Sequence, residues 1–372
     1  MKIQKIETFQ VVWDTVLGNR PQRSAFVRIT AEDGTTGLGE VSPMSLGLPS
    51  LSLIVQDIAP KLTGISVFDH AVGLERELHR LIKLGPEGVL SAAIAGLDIA
   101  FWDLKGKLLG QPVYNLLGGA WRRRHKFYAS VGNIDRRSID DLVRFVLKRV
   151  ETERPAAVKI RLDGDRTGQD VDIAGDIAKA KAVRKALGDG FMLGFDASNG
   201  YSVGGAMQVG RALEDLGYSW FEEPLQHYHL GRTGEVAQRL DITVSAGEQT
   251  YTLQGVAALI EAGVRMVQPD LVKMGGITGL MQCAALAQAH GVEFVPHQTQ
   301  PTVGHLANLH VLSTVMHAAK PAELADKWER ALCVFETPGA PRDGVFTLTE
   351  APGLGLVINE QELERRRVAI TA

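Results

Sequence analysis

Hydrophobic residues fall into successive textures along the chain. Up to about residue 50 they occupy short β-branched runs, IETFQVVW and then SAFVRITAEDGTTGLGEV, and the Asp33-Gly34 pair predicts a hairpin between two strands. From about 50 to 118 the period changes. SLIVQDIAPKL, HAVGLERELHRLI and VLSAAIAGLDIAFWDLKGKLLG carry apolar residues three and four apart, which predicts amphipathic helices. Strands first and helices after make this stretch an α+β module.

Beyond about residue 125, short apolar runs alternate with helix-like stretches. The runs are AVKI (157–160), FMLGF (191–195), SWF (219–221), ITVSA (242–246), RMVQP (265–269) and VEFVP (292–296). Between them lie AGDIAKAKAVRKAL, AMQVGRALEDL, LGRTGEVAQRL, LQGVAALIEAG and LMQCAALAQAHG, several ending in a C-capping glycine. Repeated βα units at this pitch predict a parallel sheet, and their number favours closure into a barrel over a doubly wound sheet. The tail, GVFTLTEAPGLGLVINEQELERRR, returns to turns and short strands and is expected to pack back on the first module.

A polar residue ends each of the later runs. Asp196, Glu222, Glu248, Asp270 and His297 follow one another at intervals of 26, 26, 22 and 27 residues. In a βα barrel the C-terminal strand ends share one mouth, so residues distant in sequence meet there. Carboxylates gathered at one mouth raise one another's pKa unless a cation lies between them. Asp196, Glu222 and Glu248 are therefore the candidate ligands of a hard divalent cation, and all-oxygen ligation suits Mg²⁺.

Lys159 stands near the end of the preceding run, and strand alternation puts Arg161 on the same side. That guanidinium is expected to lower the Lys159 pKa toward the range where a neutral amine acts as a base. His297 can be oriented by Asp270, one strand earlier, because a carboxylate on one imidazole nitrogen fixes the tautomer at the other. Glu323 lies one further interval on, where a protonated carboxyl could donate a hydrogen bond to a developing enolate oxygen. The surrounding HAAKPAELAD shows no clear strand, and Asp326 competes for that place. His310 and Asp98 sit in apolar stretches and read as structural, and the glycines of MGGITG (274–279) read as a βα turn.

Composition narrows the partners. In 372 residues, 45% hydrophobic, the formal charge is −3 and no basic stripe suits a nucleic-acid backbone. The short arginine groups at 122–124 and 365–367 read as solvated surface. Cys283 and Cys333 lack metal-ligand spacing, which points to a reducing compartment. No leader-like start and no long uncharged apolar window is present, so the expectation is a cytoplasmic protein with no membrane partner.

The stretch SAAIAGLDIAFWDLKGKLLGQPVYNLLGG, then VKIR, FDASNGY, FEEPL, SAGEQ, QPDLVKMGGITG, VPH and APGLGLVIN, resembles the enolase superfamily, specifically its mandelate racemase subgroup. The motifs occur in family order through nearly the whole chain. The resemblance implies a (β/α)7β modified TIM barrel over about 123–335 and an α+β capping domain over 1–122. Residues 336–372 would pack back on that cap. It also implies one Mg²⁺ at Asp196, Glu222 and Glu248, with Lys159 and the His297–Asp270 dyad as catalytic groups, to which the strand-end reading above adds Arg161 and Glu323. Asp270, where other branches carry lysine, selects the subgroup. Family members often carry Lys-x-Lys where this chain has Lys159-Ile160-Arg161, and an asparagine where it has Ser198, for which Asn199 could compensate. Loops at Leu17 to Arg23 and Ser42 to Leu51 are expected to choose the substrate. A homo-oligomer, often an octamer, is implied too.

The chemistry so implied is removal of the proton α to a carboxylate, dehydrating an acid sugar to a 2-keto-3-deoxy acid or, alternatively, racemising a hydroxy acid. A Schiff-base aldolase using Lys159 would leave the acidic ladder unexplained. A non-catalytic binding protein would leave the whole set unexplained.

Overall fold

The computed structural model describes residues 1–370 apart from 18–19, 164–167, 318–319, 327 and 338. Strands β1 (Ile3–Leu17), β2 (Arg20–Ala31) and β3 (Thr36–Val41) pair antiparallel, with the tail segment Arg367–Ala369 added beside β1. Alternation along them sorts side chains between two partners. Ala25, Val27, Ile29 and Val41 pack on the helices of the first third. Phe9, Val11, Trp13, Phe26 and Leu38 face the opposite way, into a core shared with barrel helices and tail. The helix Val89–Leu108 lies so close on β3 that a Cβ on Gly39 would sit 1.9 Å from the Gly96 carbonyl oxygen. Asp103 of that helix accepts from the Leu38 and Leu354 N–H groups, each at 2.9 Å, so one buried carboxylate joins helix, sheet and tail.

The barrel strands are β4 (Arg124–Val131), β5 (Ala157–Arg161), β6 (Met192–Asp196), β7 (Trp220–Glu222), β8 (Thr243–Ala246), β9 (Met266–Val267), β10 (Glu293–Phe294) and β11 (Ala322–Leu324). Neighbours in sequence pair in parallel from β4 to β10, and β11 pairs with β4. The remaining join is made at the mouth, where the Gln298 N–H donates to the Glu323 carboxylate at 3.0 Å. A helix follows each strand from β4 to β10, as in the (β/α)7β arrangement. Tyr128, Ala157, Trp220, Met266 and Val295 fill the barrel interior, while a larger apolar layer seals strands to helices.

Two elements differ from the sequence expectation. HAAKPAELAD does hold a strand, β11, which is only three residues long and is held through its register with Phe127, Tyr128 and Ala129. The tail divides its pairing. Val345–Thr347 (β12) runs antiparallel to β4 of the barrel, and Arg367–Ala369 (β13) pairs with β1 of the cap. Arg366 is nearly buried against Asp14 and Glu362 rather than solvated. Of the loops expected to choose substrate, Leu17–Arg23 lies partly outside the described residues. The Ser42–Leu51 segment reaches the barrel, where the Tyr251 hydroxyl donates to Met44 Sδ at 3.2 Å. No helix among the described residues is long and apolar enough to cross a membrane.

His310 bolts three parts together, as a structural residue. Its Nδ1 accepts from the Tyr114 N–H at 3.0 Å and its Nε2 faces the Leu354 carbonyl at 3.3 Å, which requires the neutral Nε2–H tautomer. Burial pushes its pKa down to about 4, and burial does the same to His125 at about 4 and His305 at about 3. These groups protonate near 6.5 when unfolded, so the unfolded chain binds more protons between about pH 6.5 and 4 and stability falls as pH falls through that window. In urea titrations, His310→Gln is expected to remove about 1.4 kcal/mol per pH unit from that slope. An unchanged slope would mean that His310 is already charged in the native state.

Candidate active site

Register carries the ladder residues to one level. Asp196 and Glu222, the last residues of β6 and β7, pair directly, and Arg161 pairs with Asp196. Glu248 lies two residues beyond β8, and Asp270 and His297 bridge each other where β9 and β10 continue. Lys159 sits opposite Gly194, and Glu323 opposite Tyr128.

The side chains converge in two groups. Lys159 Nζ is fully buried, 2.6 Å from Glu222 Oε1, 3.0 Å from Glu323 Oε1 and 3.5 Å from Asp196 Oδ2. His297 lies between two carboxylates, with Nδ1 2.8 Å from Asp270 Oδ2 and Nε2 3.0 Å from Glu248 Oε2. Glu323 links the groups, because its other oxygen accepts from the N–H of Gln298, the residue after His297. Asp326 instead pairs with Arg149 at 3.0 Å, which leaves Glu323 as the carboxylate at the mouth.

Protonation differs from the sequence expectation at two residues. Burial disfavours the charged form of Lys159, but Glu222, Glu323 and Asp196 outweigh it and raise the pKa well above the ordinary lysine value. Arg161 does not oppose this, because Asp163 takes its guanidinium in a two-point pair at 2.9 and 3.1 Å. Glu323 was expected to be protonated. Burial acts in that direction, yet Lys159 and His297 hold its pKa below the usual carboxylate value, so it is ionised. His297 is an imidazolium: burial opposes the charge, but Glu248 and Asp270 raise its pKa well above 6.5. Glu222 is pushed up to about 8, by burial and by Asp196 and Glu323 against the pull of Lys159.

Several supporting residues escape sequence reasoning. Glu223, beside Glu222, turns away to accept from Asn199 Nδ2 at 2.7 Å and the Gly247 N–H at 2.9 Å. Asn199 is thereby engaged in bracing Glu223 and the Leu225 carbonyl. Lys273 Nζ donates to the Glu248 carbonyl at 2.9 Å and lies 3.4 Å from Asp270 Oδ2, tying two strand ends together. Gln268 and Trp220 donate to Glu222 Oε2 at 3.0 and 3.3 Å. The indole has room only because position 194 is glycine, where a Cβ would meet the ring at 2.1 Å. Period-two spacing back from Glu222 and Asp270 was the available signal for Trp220 and Gln268.

The groups able to hold a divalent cation are the Asp196, Glu222 and Glu248 carboxylates. Among the described residues no three acidic, histidine or cysteine side chains form a finished cage, and Lys159 and His297 lie against the candidate ligand oxygens of Glu222 and Glu248. The donor set nonetheless fits. It is all oxygen, comes from adjacent strand ends, and carries crowded negative charge of the kind a hard divalent cation takes.

Family models match most of the chain: the mandelate racemase / muconate lactonizing enzyme N-terminal domain over 5–118 and the enolase C-terminal domain-like model over 141–362. The chain belongs to the mandelate racemase/muconate lactonizing enzyme family. A protein of that description from Paracoccus denitrificans, solved complexed with magnesium, is 67% identical with a TM-score of 0.96, covering 100% of this chain and 99% of that one. D-galactonate dehydratase of Variovorax paradoxus is 31% identical, covering 98% of this chain and 94% of its own. D-galactarolactone cycloisomerase of Agrobacterium fabrum is 30% identical, covering 92% and 90%.

With these ligands, Mg²⁺ at about 100 times its dissociation constant should stabilise the protein by about 2.7 kcal/mol. Glu222→Gln should weaken binding by about tenfold or more, since it removes a charged donor. Calorimetric titration checks both, and a variant that binds Mg²⁺ as tightly as the parent would remove Glu222 from the ligand set.

Proposed function

We propose that this enzyme dehydrates an acid sugar, by removing the proton α to the carboxylate and expelling the β-hydroxyl. The observation carrying this reading is that two proton-bearing groups, Lys159 and His297, are held by separate partners against one set of carboxylates. Asp196, Glu222 and Glu248 are the proposed Mg²⁺ ligands, and the bound ion neutralises charge that builds on the substrate carboxylate.

The rest is done by the chain itself. Lys159 keeps its proton only while Glu222, Glu323 and Asp196 surround it. Engaging Asp196 and Glu222 elsewhere takes away two of those three carboxylates, so desolvation is opposed by Glu323 alone and the pKa of the buried amine falls toward the range of a base. Lys159 then takes the α-proton. His297, poised as an imidazolium, gives its proton to the departing β-hydroxyl, which leaves as water, and Asp270 holds the ring in orientation. The enol left behind tautomerises to the 2-keto-3-deoxy acid. Glu323, as a carboxylate, locates Lys159 and the loop of His297, while Arg161 is anchored by Asp163 at the rim. The dehydratase relative supports the substrate class.

Two separately held acid–base groups also suit racemisation, in which His297 returns a proton to the opposite face. A screen of mono- and diacid sugars with Mg²⁺, followed by NMR in D₂O, separates the readings: a keto acid marks elimination, whereas an epimer carrying α-deuterium marks racemisation. A panel showing neither keto-acid formation nor α-proton exchange would sink both. His297→Asn should lower turnover by about 10²- to 10⁴-fold with Mg²⁺ binding retained. Full activity in that variant would exclude His297 as the acid.

A further inference from the structure

Helix N-termini need acceptors for their first N–H groups, ordinarily supplied by the N-cap side chain to the N2 or N3 amide. Of the five barrel helices that precede Asp270, four supply their own, Leu230–Arg239 being the exception. Ser138 accepts from Asp141 at 3.1 Å, Asp172 from Gly175 at 3.0 Å, Ser202 from Gly205 at 3.1 Å and Thr252 from Gly255 at 3.2 Å. The two helices that follow Asp270 and His297 do not. Gly276–Ala289 starts after Gly275, Val303–Thr314 starts after Thr302, neither has a side-chain cap bond, and neither has an acid in its first turn.

Their caps come from the capping layer. Asp98, of helix Val89–Leu108, accepts from the Thr278 N–H at 2.9 Å and the Thr278 hydroxyl at 2.6 Å. Glu40, on the barrel-facing side of β3, accepts from the Gly304 N–H at 3.0 Å. Both acids are 2% exposed. The backbone between each cap and the dyad is itself tied. The Asp270 carboxylate accepts from the Val272 N–H at 3.1 Å, and the Gln298 side chain bonds both the N–H and carbonyl of Gln300 at 2.6 Å.

We infer that Glu40 and Asp98 are positioning residues that cap, across the domain boundary, the helices behind His297 and Asp270 and so hold that pair against the Lys159 side. The catalytic half of this inference rests on the roles proposed above for Lys159 and His297. The capping half does not.

The test is hydrogen–deuterium exchange of the Mg²⁺-loaded full chain, with turnover measured on a panel containing D-galactonate. Glu40→Ala should speed exchange in 297–310 by about tenfold, and Asp98→Ala in 270–283, with 157–196 unchanged. kcat should fall by about tenfold to a hundredfold with KM within about threefold, as for a displaced catalytic group. Glu40→Gln and Asp98→Asn keep an acceptor and should restore both. Asp172→Ala, which removes a self-cap, should leave 297–310 unmoved. Uniform loosening of every segment, no loosening at all, or local loosening with unaltered kcat would each overturn the inference. A parent enzyme that turns over none of the panel would instead count against the dehydratase reading, and the exchange comparison would still decide the caps.

Discussion

Crowded negative charge is the constraint around which this barrel mouth is organised. Asp196, Glu222, Glu223, Asp270 and Glu323 are buried there, with Glu248 partly so, and water cannot screen them. Every neighbouring group can be understood as an answer to that crowding. Lys159 takes three carboxylates, His297 takes two, Lys273 serves Asp270, and Gln268 and Trp220 lend N–H groups to Glu222. On the proposed function, the same crowding is what a divalent cation would relieve. It also holds Lys159 and His297 in their protonated forms.

Much of this was legible because strand ends repeat. A polar residue every 22 to 27 positions after an apolar run survives any error of one or two residues in strand limits, and such errors occurred. Met266–Val267 and Glu293–Phe294 are shorter than the runs RMVQP and VEFVP suggest. The protonation of Lys159 was not legible, because it is set by Glu222 and Glu323, which reach it from β7 and β11. Arg161 looked like the decisive neighbour in sequence, yet Asp163, two residues on, removes it from the problem. Strand β11 was hidden for a related reason: Ala322–Leu324 has little strand character alone and is fixed by β4, almost two hundred residues earlier.

The two faces of the cap sheet show a similar division. The Asp33-Gly34 hairpin and the alternation of β2 could be read locally, because turn chemistry and period-two burial are local properties. That Glu40 would meet Gly304, or Asp98 meet Thr278, could not, since each pairing joins the cap to a distant barrel helix. Such acids look like strays in apolar sequence until the helix ends they satisfy are seen.

The placement of β13 bears on how the molecule is made. The edge of the cap sheet beside β1 is filled by Arg367–Ala369, more than three hundred residues later in the chain. β12 likewise reaches back to the opening barrel strand. A ribosome emitting this chain releases the first sheet with one margin bare until the segment beyond the barrel has followed, so cap and barrel mature together rather than in sequence.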